Sequence, residues 1–201
     1  NFTGVTSVLG DDNQGHVITN ADANLEADKH ALTTQGIGFT DIGSMDLNGQ
    51  SLIGSEHDDS FQILVDGVKA NGIKTTNLNR TINANGAVTL SGAQNNIWQL
   101  MDMKGELKDS RDNGFIFIGV NAANLQGETL NASAAQNKFD ITGAQKLTAA
   151  DINFTGVTSV VGDNNQGQVT TNADANLAAD KHALTSQNII FTGIGSAALG
   201  G

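Results

Sequence analysis

The sequence predicts an all-β chain wound into a parallel β-solenoid, and three observations predict it. Residues 1–44 return almost letter for letter at residues 153–196, as NFTGVTSVLGDDNQG and then NFTGVTSVVGDNNQG. A short string recurs between the copies at near-constant spacing, the signature of stacked repeats rather than of an ordinary globule. The composition then fits a narrow core fed by short strands: Gly is abundant at 24, Pro is absent and aromatics are only 4 %. Proline would delete a donor from every ladder it entered, so its absence suits a chain that pairs backbone throughout.

The recurring string sets the unit. It reads Gly36-Ile37-Gly38-Phe39-Thr40-Asp41-Ile42, then Gly72-Ile73-Lys74-Thr75-Thr76-Asn77-Leu78 and Gly114-Phe115-Ile116-Phe117-Ile118-Gly119-Val120. It returns as Asp151-Ile152-Asn153-Phe154-Thr155-Gly156-Val157 and Asn188-Ile189-Ile190-Phe191-Thr192-Gly193-Ile194. Counted from Phe2, the anchors fall about 37, 36, 42, 37 and 37 residues apart. Positions two apart within the string, such as Ile37 and Phe39, share one face of a strand. A second aromatic column stands at Phe61, Trp98 and Phe139, with Val17 and Val169 in comparable contexts. Each unit of about 37 residues is therefore expected to hold two strand-rich rungs of roughly 18–19 residues.

Turn signals separate the passes at Asn48-Gly49, Asp66-Gly67, Asn71-Gly72, Asn85-Gly86 and Asn113-Gly114. The best helical candidate, ANLEADKHAL at 23–32 with its copy at 175–184, reads as one short helical turn or a loop protruding from the stack. Elsewhere Thr, Val, Ile and Phe between Gly and Asn favour strand. Stacking explains why such strands should coil. A lone strand leaves its N–H and C=O groups unpaired sideways, and a like strand about 4.8 Å along the axis satisfies both sets. Like residues are then expected to stack, Phe on Phe and Asn on Asn. Around eleven rungs give a rod about 50 Å long. A β-sandwich or tandem small β-domains is the alternative architecture, and a sandwich requires no self-similarity at this period.

Charge and composition bound the function. The net charge of −11 argues against nucleic acid and anionic membrane surfaces as partners. No Cys is present, so packing and backbone pairing carry the stability without disulfides. There is no apolar run near 18 residues and so no membrane insertion by this segment. The chain reads as a single solenoid domain over 1–201 and as an excerpt of a longer protein.

The columns resemble the repeat region of the filamentous haemagglutinin family, large exoproteins exported by two-partner secretion. INANGAVTLSGAQNNIWQL at 82–100 is similar to its haemagglutinin-type rungs, where Gly, an apolar–x–apolar strand and a small turn alternate, and LQGETLNASAAQNKFDI at 125–141 has the same character. The resemblance implies a right-handed parallel β-helix, extracellular or on the bacterial cell surface, serving as stalk or contact surface of an adhesin or contact-dependent toxin carrier. Its partners would be a host or bacterial surface receptor or glycan and the neighbouring repeats of the parent chain.

Each chemical candidate has a plainer reading. Asp11-Asp12 and Glu56-His57-Asp58-Asp59 could offer carboxylates to Ca²⁺, yet no GGxGxDx series accompanies them, and they read as solvated turns. His16, His30, His57 and His182 show no ligand spacing, and His30 and His182 share one repeat position, as structural or surface residues would. A carbohydrate-acting β-helix enzyme of the polysaccharide-lyase kind would need a basic residue beside carboxylates, but Arg80 and Arg111, the only arginines, stand beside no acidic pair that repeats. The insert MDMKGELKDSRDNG at 101–114 stretches one unit to about 42 and is the place to look for a specific function, its plainer reading being a polar side loop. Sequons at Asn1, Asn79, Asn131 and Asn153 are what chance gives in an Asn- and Thr-rich chain. No phosphate loop or nucleophile elbow is present. The sequence therefore assigns no catalytic, cofactor-binding or metal residue and expects no enzyme. Its rivals are the lyase-like β-helix and a trimeric phage fibre.

Overall fold

The computed structural model describes residues 4–92, 96–111, 114–179 and 182–200. Phe2, the Asn1 sequon, Asn113 of the Asn113-Gly114 turn and parts of GAQNNIWQL and of the second ADKH segment lie outside them. Among the described residues every regular element is a strand, and the strands stack as a β-solenoid of about six turns.

The chain shuttles between two faces. It starts with β1 (Ser7–Leu9) on the first face and β2 (Gly15–Ile18) on the second. Then β3 (Ala23–Leu25), β4 (Leu32–Thr34) and β5 (Ile37–Thr40) form an antiparallel meander on the first face. Next come β6 (Ile42–Asp46) on the second face and β7 (Leu52–Ile53) on the first. The following meander, β8 (Asp59–Ile63), β9 (Gly67–Ala70) and β10 (Ile73–Thr76), lies on the second. The long β11 (Thr81–Ser91) bends through both. A third meander returns to the first face as β12 (Ile97–Leu100), β13 (Leu107–Asp109) and the opening half of β14 (Ile116–Asn124), whose closing half crosses over.

The alternation continues with β15 (Thr129–Asn131) on the first face. A second-face meander of β16 (Lys138–Gly143), β17 (Lys146–Ala149) and β18 (Ile152–Thr155) follows. Then β19 (Ser159–Val161) and β20 (Gly167–Thr171) repeat the opening pair. A last meander of β21 (Ala175–Leu177), β22 (Leu184–Ser186) and β23 (Ile189–Thr192) precedes β24 (Ile194–Leu199).

Parallel pairing joins these pieces into two ladders. On the first face the strands lie in the order β1-β5-β4-β3-β7-β11-β14-β13-β12-β15-β19-β23-β22-β21. On the second they lie as β2-β6-β10-β9-β8-β11-β14-β18-β17-β16-β20-β24. Fourteen strands at about 4.8 Å make a stack about 60 Å long.

The coil is thus longer than the rung of 18–19 residues that the repeat suggests. Parallel partners are 27 to 35 residues apart, from Gly15 opposite Ile42 to Thr81 opposite Ile116. The 37-residue unit is not two rungs. It is five strands, three of them one meander. The physical reason lies in the turns: Gln35-Gly36, Asn71-Gly72, Ala150-Asp151 and Gln187-Asn188 all hold positive φ at both central residues. That is the two-residue hairpin geometry whose twist matches the flanking strands, so the chain doubles back instead of coiling on. The recurring string is the third strand of each meander plus a corner. Its corner residues Asp41, Asn77, Gly119, Gly156 and Gly193 have φ of 56, 50, 71, 66 and 67°, a conformation open to Gly, Asn and Asp.

Side chains from both ladders meet in one core running from Val17 to Ile194. The Phe of each string lies opposite a Leu in the middle strand of its meander: Leu32 with Phe39, Leu107 with Phe117, Leu147 with Phe154, Leu184 with Phe191. Its other neighbour is Val8, Ile82, Ala123 or Val160. The expected Phe-on-Phe stacking is therefore replaced by rings set between aliphatic chains, because the coil and the repeat differ in length. The tightest aromatic contact among the described residues runs instead across the core, between Phe61 and Phe117 (5.2 Å between centroids, 63° between planes), while Trp98 and Phe117 meet within the first face. Phe139 does sit beside Val169, but as its ladder neighbour, while Val17 and Val169 belong to the strand before the meander and not to the Phe61 position. The candidate helix at 23–32 is a hairpin, β3 and β4 joined through 26–31.

Candidate functional site

A polar groove of about 340 Å³ lies on the second face. Its floor is made by the outward positions of three adjoining strands. Register places Lys69 beside Gln62 and Gln62 beside Ser91, with Ser60 beside Thr89 one step along. Alternation forces this arrangement: Phe61 and Ile63 point inward, so Ser60 and Gln62 point out. One wall comes from the hairpin loop after β3, which carries Lys29 and His30, and the far end is closed by Gln126.

The loop is fixed by main-chain bonds. The His30 amide donates to the Asn71 carbonyl at 2.9 Å. Nδ1 of His30 lies 2.9 Å from the carbonyl oxygen of Ile42, which can only accept, so this nitrogen carries the proton. The imidazole lies against Gly72, where an added Cβ would come within 2.5 Å of Nε2. Gly72 also has φ +91°, so the position excludes side chains twice over.

Beneath the groove is a buried polar cluster. Asp59 is 1 % exposed and accepts from the Ser55 amide at 2.7 Å, the Ser55 hydroxyl at 3.0 Å and Asn71 Nδ2 at 2.5 Å. Asn71 Oδ1 accepts in turn from the Ser60 amide at 2.8 Å. Burial pushes the Asp59 carboxyl above its usual range, and the bonds from Asn71 and Ser55 pull against that shift. Here the sequence reading is corrected in part: Glu56, His57 and Asp58 are exposed as a solvated turn should be, but Asp59 is an internal hub. The strand alternation that turns Phe61 inward turns Asp59 inward too.

The other candidates have structural places. Asp11 and Asp12 sit in an exposed tight turn closed by the Gln14 amide on the Asp11 carbonyl at 2.8 Å. Asp66, exposed, is held below the usual carboxylate range by its hydrogen bond to Lys74 at 2.9 Å. His16 Nδ1 meets Ser44 Oγ at 2.7 Å, and His182 repeats the His30 bond, with Nδ1 3.0 Å from the Ile194 carbonyl. No group of three His, Cys, Asp or Glu that could hold a metal ion occurs among the described residues.

Arg111 pairs with the fully buried Asp109 at 2.6 Å and reaches the Leu64 carbonyl at 3.3 Å, pinning its loop to the neighbouring coil. Arg80 stands 4.7 Å over the Phe115 ring. The insert at 101–114 is no side loop, since β13 within it is the middle strand of a meander. Trp98 Nε1 donates to Glu128, whose other oxygen accepts from the Gly92 amide at 3.0 Å.

Sequence reasoning missed the groove. It is assembled from Lys29, Gln62, Lys69, Ser91 and Gln126, which only the true coil length brings together. The fold and groove define a two-faced β-solenoid with a polar, cationic recess on an acidic rod. Compared with protein-family models, curated proteins and solved structures, the chain matches none.

Proposed function

We propose that this chain is a structural and binding segment of a secreted or cell-surface bacterial adhesin, or of a contact-dependent toxin carrier. It acts as a stiff stalk that presents a contact surface to a receptor or glycan. The observation that carries the reading is the pair of uninterrupted ladders, fourteen and twelve strands deep, sharing one core. Such a stack resists bending because every level is tied to the next by backbone bonds and packed side chains. The likeness of 82–100 and 125–141 to haemagglutinin-type rungs supports the same role, as does a groove lined by hydrogen-bonding side chains. Both arginines are committed to holding loops and rings, which weakens the case for a lyase.

The test is adhesion against turnover. Beads coated with the chain should bind bacterial or epithelial cells saturably, in competition with free chain. Cleavage of acidic polysaccharides, with or without calcium, that is abolished by Arg80→Ala or Arg111→Ala in a variant shown by circular dichroism to stay folded would overturn the proposal.

A further inference from the structure

We infer that the groove on the second face binds a short, largely neutral oligosaccharide bearing one anionic sugar, with Lys29 and Lys69 receiving the anion. The inference rests on reading the chain as a contact surface and names the ligand class for it.

Charge comes first. The chain carries 21 acidic and 10 basic residues, so most of its surface repels anions. The groove is an exception: Lys29, His30 and Lys69 line it, and no carboxylate does. Neither lysine forms an ion pair among the described residues, whose ion pairs are Lys74–Asp66, Lys104–Asp151 and Arg111–Asp109. Two exposed ammonium groups without partners, set in a recess, favour one negative group. A dense polyanion would run beyond the recess onto acidic rod and be repelled within a Debye length of about 8 Å.

Lining chemistry and spacing select the rest of the ligand. Gln62, Gln126, Ser60, Thr89 and Ser91 offer paired donors and acceptors, as sugar hydroxyls require. The row Lys69–Gln62–Ser91 crosses three neighbouring strands. Strands recur at about 4.8 Å, close to the length one pyranose adds to an extended oligosaccharide, so successive sugars meet successive strands in like register. The recess is also stiff. His30 is locked by its bonds to Asn71 and Ile42, and Asn71 by Ser60 and Asp59, so little ordering opposes binding.

The experiment titrates the whole chain by NMR with sialyllactose, a glucuronate-terminated disaccharide, sulfated lactose and plain lactose. At least one anionic sugar should bind about tenfold or more tightly than lactose, the effect of one charge-assisted hydrogen bond. Which of the three binds identifies the source of the anion. Lys29→Gln and Lys69→Gln, both at exposed positions and checked for fold by circular dichroism, should each remove most of that advantage. Equal binding of lactose and the anionic sugars overturns the ligand class and leaves the contact-surface reading standing. Anionic binding that survives both lysine variants overturns the site. If no sugar binds, the inference falls, and the bead assay alone then judges the contact surface.

Discussion

Removing the ring of Phe117 tests the architecture most directly. Phe117 is fully buried and belongs to the first face. Its ring packs edge-on against Phe61 of the second face at 5.2 Å and against Trp98 at 5.9 Å. Ile82 and Leu107 lie on its two sides in register. Phe117→Ala should therefore cost about 4–5 kcal/mol, the upper part of the range for buried Phe, since the ring lies fully buried among Phe61, Trp98, Ile82 and Leu107. Phe39 holds the same place in its own meander but is only partly buried, beside Val8 at 40 % exposure. Phe39→Ala should cost about 1–2 kcal/mol. Urea unfolding followed by the single Trp98 and by far-ultraviolet circular dichroism measures both, with slopes compared to confirm that the same surface unfolds. Equal costs for the two variants, or a Phe117→Ala cost below about 2 kcal/mol, would refute two ladders facing each other across one core.

Two further outcomes follow from local geometry. Asp59 holds its proton more tightly when folded, so its contribution to stability is complete below the ordinary carboxyl pKa of about 4 and is lost as pH rises through the raised folded value. The stability difference between wild type and Asp59→Asn should therefore shrink from pH 4 towards 7, and a difference that is flat or grows defeats this account. Ala150 sits at φ 51° in a hairpin turn, a conformation that penalises its Cβ. Ala150→Gly should raise the thermal midpoint, by a gain of about 0.5–1 kcal/mol, and a lower midpoint would show that the lost methyl outweighs the relieved strain.

Much of this was legible in the sequence because corners and inward rings are local properties. Thr40-Asp41 and Thr192-Gly193 announce the left-handed corner, and Phe39, Phe117, Phe154 and Phe191 announce an inward column at the correct spacing. The coil length was not legible. Gln35-Gly36 and Asn71-Gly72 read equally as boundaries between rungs or as hairpins, and only pairing across the ladder separates the two. The error propagates to Asp59 and to the groove. Lys29 and Lys69 are 40 residues apart and meet because β8 and β9 fold back under the preceding hairpin loop. Side-chain clusters built across coils are invisible until the coil is counted correctly.

The duplication itself becomes intelligible once the meanders are placed. Each unit visits a face three times, so successive meanders change sides: Phe39, Phe117 and Phe191 stand on the first face, Thr75 and Phe154 on the second. A copied segment keeps its neighbours only when moved by an even number of units. The copies lie 152 residues apart, four units, from Phe39 to Phe191. Accordingly Val160 meets Phe191 as Val8 meets Phe39, and Gly162 donates to Thr192 at 2.8 Å as Gly10 donates to Thr40 at 2.8 Å. Copying in pairs lengthens such a rod without altering its cross-section. Specific chemistry can then arise only where a copied loop meets a strand outside the copy. That is where the groove lies, with Lys29 and His30 inside the duplicated stretch and Gln62, Lys69 and Ser91 outside it.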